Sequence, residues 1–79
     1  MNYLLFTTTQ CPKCPEIKKF VSEKVILPGR ILNETMPDFG DLIGEHGVSA
    51  APTMIVFEKG QEVFRGNEIS EIEDFIKCL

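Results

Sequence analysis

Cys11 and Cys14 stand three residues apart in "FTTTQCPKCPEIKKF", Phe6 to Phe20, with Pro12 and Lys13 between them and Pro15 directly after. Two thiols at this spacing can serve as a static crosslink, as half of a metal site, or as a pair that makes and breaks one disulfide. Exchange runs through the thiolate, and a free cysteine has a pKa of about 8.5. At a strand-to-helix junction, unpaired N–H groups and the positive end of the helix dipole favour an anion. Lys13 adds a cation between the two sulfurs. Such surroundings place C-x-x-C thiols at pKa values of roughly 3.5–7.5. Cys11 is the expected attacking thiol. Cys14, on the same helical side as Ile17 and Val21, is expected to be less exposed and less acidic. Residues three apart on a helix hold their Cβ atoms about 5–6 Å apart, and a disulfide needs about 3.5–4.5 Å, so a modest adjustment closes the bond. Cys11 would attack a partner disulfide, and Cys14 would then attack the mixed disulfide and free the product.

The neighbouring prolines bear on the local backbone. Pro12 suits the first helical position, where its missing N–H costs nothing. With Cys11 as the N-cap, Pro15 would lose the bond to the Cys11 carbonyl. A distorted first turn follows, with that carbonyl left open to a partner.

The other two readings are weaker. A crosslink closing so short a loop constrains the unfolded chain little. Cys11, Cys14, His46 and Cys78 could form a Cys₃His zinc set, or two chains could share an iron–sulfur cluster. Zinc modules offer a second close ligand pair, however, and His46 and Cys78 are isolated in the sequence. No metal and no cofactor is expected. Three cysteines cannot all pair within one chain, which argues for a reducing compartment. Cys78 is expected to be a small filler or a partly exposed thiol, and His46 a surface residue at a helix end.

The elements that position the pair follow from periodicity. Tyr3 to Thr7 is a short apolar run ending in threonines, as in a buried strand. Ile17, Phe20, Val21 and Val25 fall at helical spacing, and "LPG", Leu27 to Gly29, ends that helix. Arg30 to Asn33 is a second strand. Thr35 and Asp38 are spaced as a capping box before a helix carrying Phe39, Leu42 and Ile43, with Gly47 at its left-handed end. "TMIVF", Thr53 to Phe57, is a strand, and "EKGQ", Glu58 to Gln61, is a hairpin turn into Glu62–Arg65. Ile69, Ile72, Phe75, Ile76 and Leu79 share one face of a last helix. Asn67 or a Ser70–Glu73 box could cap it. The order β-α-β-α-β-β-α predicts an α/β domain over 1–79: a four-stranded mixed sheet with a parallel first pair, an antiparallel hairpin and helices on both faces.

The bulk numbers exclude several functions. The 79 residues carry eight basic and twelve acidic side chains, a net charge of −4. Nucleic-acid binding wants a basic stripe, and Lys13, Lys18 and Lys19 form the only local cationic cluster. The acid in Glu68, Glu71, Glu73 and Asp74 is a solvated helix face. No apolar run approaches the roughly 18 residues of a membrane span, and Leu4 to Phe6 is too short for a signal segment. The expectation is a cytoplasmic monomer that starts at its initiator Met1. A chain of this length buries only about 60% of its unfolded surface, so the core must be economical. The six phenylalanines, Phe57 and Phe64 among them, belong to that core.

"CPKC" after a strand, followed by "HGVSAAPTMIVFEKGQEVFRG" (His46 to Gly66), resembles the thioredoxin and glutaredoxin family over about Tyr3 to Cys78. The length resembles a glutaredoxin or a small archaeal-type thioredoxin. The resemblance implies a thioredoxin fold and a thiol–disulfide oxidoreductase that reduces protein disulfides through Cys11 and Cys14. It also implies a cis Pro52 packed against the pair, and an Ala51 backbone that holds the substrate chain beside Pro12 and Lys13. A thioredoxin-reductase-type flavoenzyme would supply electrons, with glutathione as the alternative donor. The departures are local. Gln10 stands where thioredoxins carry Trp, and Leu5 where they bury an Asp. Thr8 stands where glutaredoxins carry a Lys for glutathione, and Gly66-Asn67 with Glu68 and Ser70 only partly matches their glutamyl-binding turn. Lys13 or Lys18 would have to substitute for the missing cation.

Overall fold

The computed structural model describes residues 1–79. Its elements run β1 (Asn2–Phe6), α1 (Cys14–Lys24), β2 (Gly29–Leu32), α2 (Phe39–His46), β3 (Thr53–Glu58), β4 (Gln61–Gly66) and α3 (Ile69–Lys77). The sheet order is β2-β1-β3-β4. β1 pairs parallel with β2 from Tyr3↔Gly29 to Phe6↔Leu32, and antiparallel with β3 from Asn2↔Phe57 to Phe6↔Thr53. The predicted mixed four-stranded sheet is the observed one.

Strand side chains alternate between faces, so each inner strand supplies two cores. Tyr3, Leu5, Met54 and Val56 join Ile17, Val21 and Val25 of the first helical segment and Ile72 of α3 in one buried cluster. The intervening Phe6, Ile55 and Phe57 join Leu32 and Phe39, with Leu42 and Ile43 packed against them. α1 and α3 therefore cover one face and α2 the other. Both faces of β3 are buried, which explains its unbroken apolar run. Phe57 lies in the second cluster, and Phe64 stacks on Phe75 with ring centres 4.5 Å apart.

Local chemistry sets the ends. Lys59 and Gly60 have φ of 53° and 81°, the paired positive values of a two-residue hairpin turn. Gly47 ends α2 at φ 63°, as expected. On β4 the register steps from Val56↔Phe64 to Phe57↔Glu62, so Val63 is an extra, exposed residue: a bulge. Two helix starts differ from expectation. Thr35 bonds Asn33 through its hydroxyl and Asp38 is taken by Arg30 at 2.9 Å, so the Thr35–Asp38 box does not form. α3 starts one residue after Glu68, not at an Asn67 or Ser70 cap. The Glu71 carboxylate accepts the Asn67 and Glu68 amides, each at 3.1 Å, and satisfies the orphan donors there.

Two predictions follow from this packing. A Cβ built on Gly29 would run into the Tyr3 ring, its partner across the β1–β2 ladder. Gly29→Ala is expected to cost about 1–3 kcal/mol of stability, read by urea unfolding, as for other overpacked sites. The carboxyl groups of Glu34, Asp38 and Glu62 are all held below their ordinary values. The causes are backbone hydrogen bonding at Glu34 and hydrogen bonds from Arg30 and Arg65 at the other two. Folded-state values that lie low give stability that is present above the ordinary 4.5 and 3.8 and lost as pH falls through the lowered values. A melting curve series should be flat from pH 7 to about 5 and fall below pH 4, with the fall reduced in the E34Q/D38N/E62Q variant.

Candidate active site

β1 ends at Phe6, and its continuation Thr7 is still tied to the neighbouring strand: the Thr7 amide and hydroxyl both donate to the Leu32 carbonyl, at 2.9 and 2.6 Å. The chain then turns twice. The Cys11 amide donates to the Thr8 carbonyl and the Cys14 amide to the Cys11 carbonyl, each at 3.3 Å. These turns deliver Cys11, half-buried, to the rim of the sheet, and Cys14 to the first position of α1.

Cys11 and Cys14 are joined as a disulfide, with their Cα atoms 5.3 Å apart. Cys14 is 1% exposed and lies with Ile17 and Val21 on the buried side of α1, as expected. The expectation for the prolines is corrected. α1 begins at Cys14 with Lys13 as N-cap, so Pro12 precedes the helix and Pro15 occupies its first turn, where an absent N–H loses nothing. The Cys11 carbonyl is not left open, since it accepts the Cys14 amide. The amides of Lys13 and Glu16 have no backbone partner, and they are the donors the helix mouth offers. Lys13 does not stand between the sulfurs. Its ammonium reaches Glu68 at the start of α3, 3.4 Å away, and both side chains are more than half exposed.

Pro52 is buried, and the Ala51–Pro52 peptide is cis, as the family resemblance implied. The Thr53 hydroxyl donates to the Ala50 carbonyl at 2.6 Å and closes the turn around that bond. Ala51 itself makes no backbone hydrogen bond, so its amide and carbonyl are free to pair with another chain. A groove of about 240 Å³ beside Pro52 brings together Lys13, Glu16, Glu68 and Ser70. On the other side of Ala51 an apolar groove of about 210 Å³ is lined by Phe6, Phe39, Ile43 and Val48. Lys13, Pro52 and the start of α3, from three separate segments, thus line one groove, while Ala51 lines the apolar one.

Leu5, at the position of the thioredoxin Asp, is wholly buried in the cluster of Ile17, Val21 and Met54 and offers no proton acceptor. His46 lies at the end of α2, as expected, but is partly covered. Its ring packs 5.1 Å from Phe57 and 6.5 Å from Phe6, and its side chain is 21% exposed. Cys78 is an exposed free thiol. No group of three His, Cys, Asp or Glu side chains converges anywhere in the fold, so the Cys₃His arrangement is not assembled. No helix is long and apolar enough to cross a membrane.

One contact escaped the sequence reading. Glu34, after β2, accepts the Thr9 amide at 2.9 and 3.2 Å and the Thr9 hydroxyl at 3.0 Å. The residues are 25 apart, and no spacing rule links them.

No family model matches the chain, and no curated protein matches it. Solved structures do. Oxidised thioredoxin O2 from Arabidopsis thaliana superposes with a TM-score of 0.80 at 19% identity, over 99% of this chain and 73% of that one. Reduced thioredoxin pre-protein from Schistosoma mansoni gives 0.76 at 26% identity, over 98% and 76%. Thioredoxin 1 from the thermophile Thermosipho africanus gives 0.70 at 17% identity, over 98% and 88%. The shared fold, and a C-x-x-C disulfide between the first strand and the first helix, place this chain in the thioredoxin/glutaredoxin superfamily of thiol–disulfide oxidoreductases.

Proposed function

We propose that the protein is a reductase of protein disulfides in which Cys11 is the attacking and Cys14 the resolving thiol. The observation that carries this reading is the difference in environment across one bonded pair: Cys11 half-buried at the rim, Cys14 sealed beneath it. A partner disulfide can reach only the outer sulfur. The Cys11 thiolate attacks one partner sulfur and the partner S–S bond breaks. The departing partner thiolate takes up a proton, and a Cys11–partner mixed disulfide remains. Cys14, as thiolate, then attacks the Cys11 sulfur, the mixed bond breaks, and the second partner thiol leaves. Two electrons have passed to the partner, and the Cys11–Cys14 disulfide is restored.

The unpaired Ala51 backbone supports its role as a clamp for an extended partner chain, and Pro12, Lys13 and Pro52 are the other substrate-binding residues of this reading. The groove beside Pro52 supports a protein partner over glutathione. Its cation, Lys13, is already engaged by Glu68, and Glu16 and Glu68 leave the wall net negative, unsuited to the two carboxylates of glutathione. A thioredoxin-reductase-type flavoenzyme is the electron donor in this reading, with glutathione second.

Reduction of insulin in the presence of dithiothreitol is the direct test: Cys11→Ser should abolish it, and Cys14→Ser should trap the mixed disulfide on Cys11. Full turnover by Cys14→Ser would sink the two-thiol mechanism. Donor choice is tested separately. NADPH with thioredoxin reductase should recharge the pair several-fold faster than NADPH with glutathione and its reductase, and Glu68→Lys should narrow that difference. A wild-type protein recharged faster by glutathione would reverse the donor order.

A further inference from the structure

The β1–β2 ladder ends at Phe6↔Leu32, yet the attacking cysteine lies five residues further along the chain. Thr7 remains fastened to Leu32, and α1 begins only at Cys14. Between these fixed points the segment makes two hydrogen-bonded links to other elements: Thr9 with Glu34, and Lys13 with Glu68. The second is a single 3.4 Å contact between exposed side-chain ends. The first holds the backbone itself, through the Thr9 amide, and adds the Thr9 hydroxyl. Glu34 therefore carries the pairing of β1 and β2 beyond the point where strand geometry stops, using a carboxylate in place of a carbonyl. The turn that presents Cys11 starts at Thr8, between the two anchored threonines.

We propose that Glu34 is a positioning residue for the exchange reaction: by fastening Thr9 it holds the Cys11 turn in the one arrangement from which its sulfur can bond to that of Cys14. The inference rests on the reading that Cys11 and Cys14 exchange reversibly. Holding two reacting groups in place raises the effective concentration of each at the other, and here that favours the closed disulfide. The carboxylate suits the task. A charge-assisted bond to a backbone amide is stronger than a neutral one, and two oxygens can share one N–H and one O–H. The Glu34 carboxyl is held below its ordinary value first by its own backbone amide and then by the Thr9 amide and hydroxyl, which accords with that bonding.

The experiment is a redox titration of the intact protein against glutathione. Two protein thiols become one disulfide while one glutathione disulfide becomes two glutathione thiols, and alkylation followed by mass measurement counts each form. Glu34→Ala should shift the equilibrium constant toward the dithiol form by about threefold to tenfold, the weight of one modest hydrogen bond. Tenfold corresponds to about 30 mV more oxidising. Glu34→Gln keeps one oxygen acceptor for the Thr9 amide but loses the charge and the second acceptor, and should lie between the Ala variant and wild type. A role in stability alone would weaken both redox forms equally and leave the constant where it was. An unmoved Glu34→Ala constant, a shift toward the disulfide, or equal shifts in the Ala and Gln variants would each overturn the proposal. Wild-type protein that failed to exchange with glutathione disulfide at all would instead refute the reversible pair on which it rests.

Discussion

The placement of β1 between a parallel and an antiparallel neighbour is the constraint from which this molecule is organised. Each of its residues from Tyr3 to Phe6 is hydrogen-bonded or packed on both sides, and it feeds both hydrophobic clusters. A strand so held has no freedom at its exit. The chain leaving it must rise at the edge of the sheet and turn before it can enter a helix, and that obligatory turn is where Cys11 lies. The cis bond at Pro52 meets the same rim because β3, antiparallel to β1, begins where β1 ends: Phe6 pairs with Thr53. Register alone brings two segments forty residues apart to one edge.

Much of this is legible in the sequence itself. The short unbroken apolar run in Thr53–Phe57, the helical spacing of Ile17, Phe20, Val21 and Val25, and the Lys59-Gly60 turn each report a local rule strong enough to survive tertiary context. Helix starts were less legible. Capping boxes were expected at Thr35–Asp38 and Ser70–Glu73 because the residue types were right, but Arg30 competes for Asp38, and Glu71 serves the amides before α3 instead. Capping is a contest among nearby acceptors, and spacing does not record the competitors. Pro15 was misplaced for a related reason. A tight turn at Cys11–Cys14 delays the helix by two residues and removes the conflict that a helix beginning at Pro12 would create.

The candidate site shows the same division. The sealing of Cys14 follows from its place on the buried side of amphipathic α1, and its pairing with Cys11 from the two-residue spacer that a tight turn spans. The engagement of Lys13 by Glu68 does not, because it joins residues 55 apart whose meeting depends on where α3 docks. It also changes the local electrostatics. The cation between the cysteines in sequence is directed across the groove in space, and the amides of Lys13 and Glu16 at the mouth of α1 remain without a backbone partner. Leu5 extends the departure from the thioredoxin pattern: the position is wholly buried among Ile17, Val21 and Met54 and offers hydrocarbon in place of an acid.

The extra residue at Val63 has a consequence of another kind. β4 is the outermost strand on its side, and an outermost strand that runs straight exposes a row of unsatisfied amides and carbonyls to any other copy of itself. By interrupting that row and increasing its coil, the bulge makes the open flank a poor template for strand addition between molecules. The charged Glu62 and Arg65 on either side oppose such stacking further. On this flank, geometry thus opposes strand addition at no expense to the core.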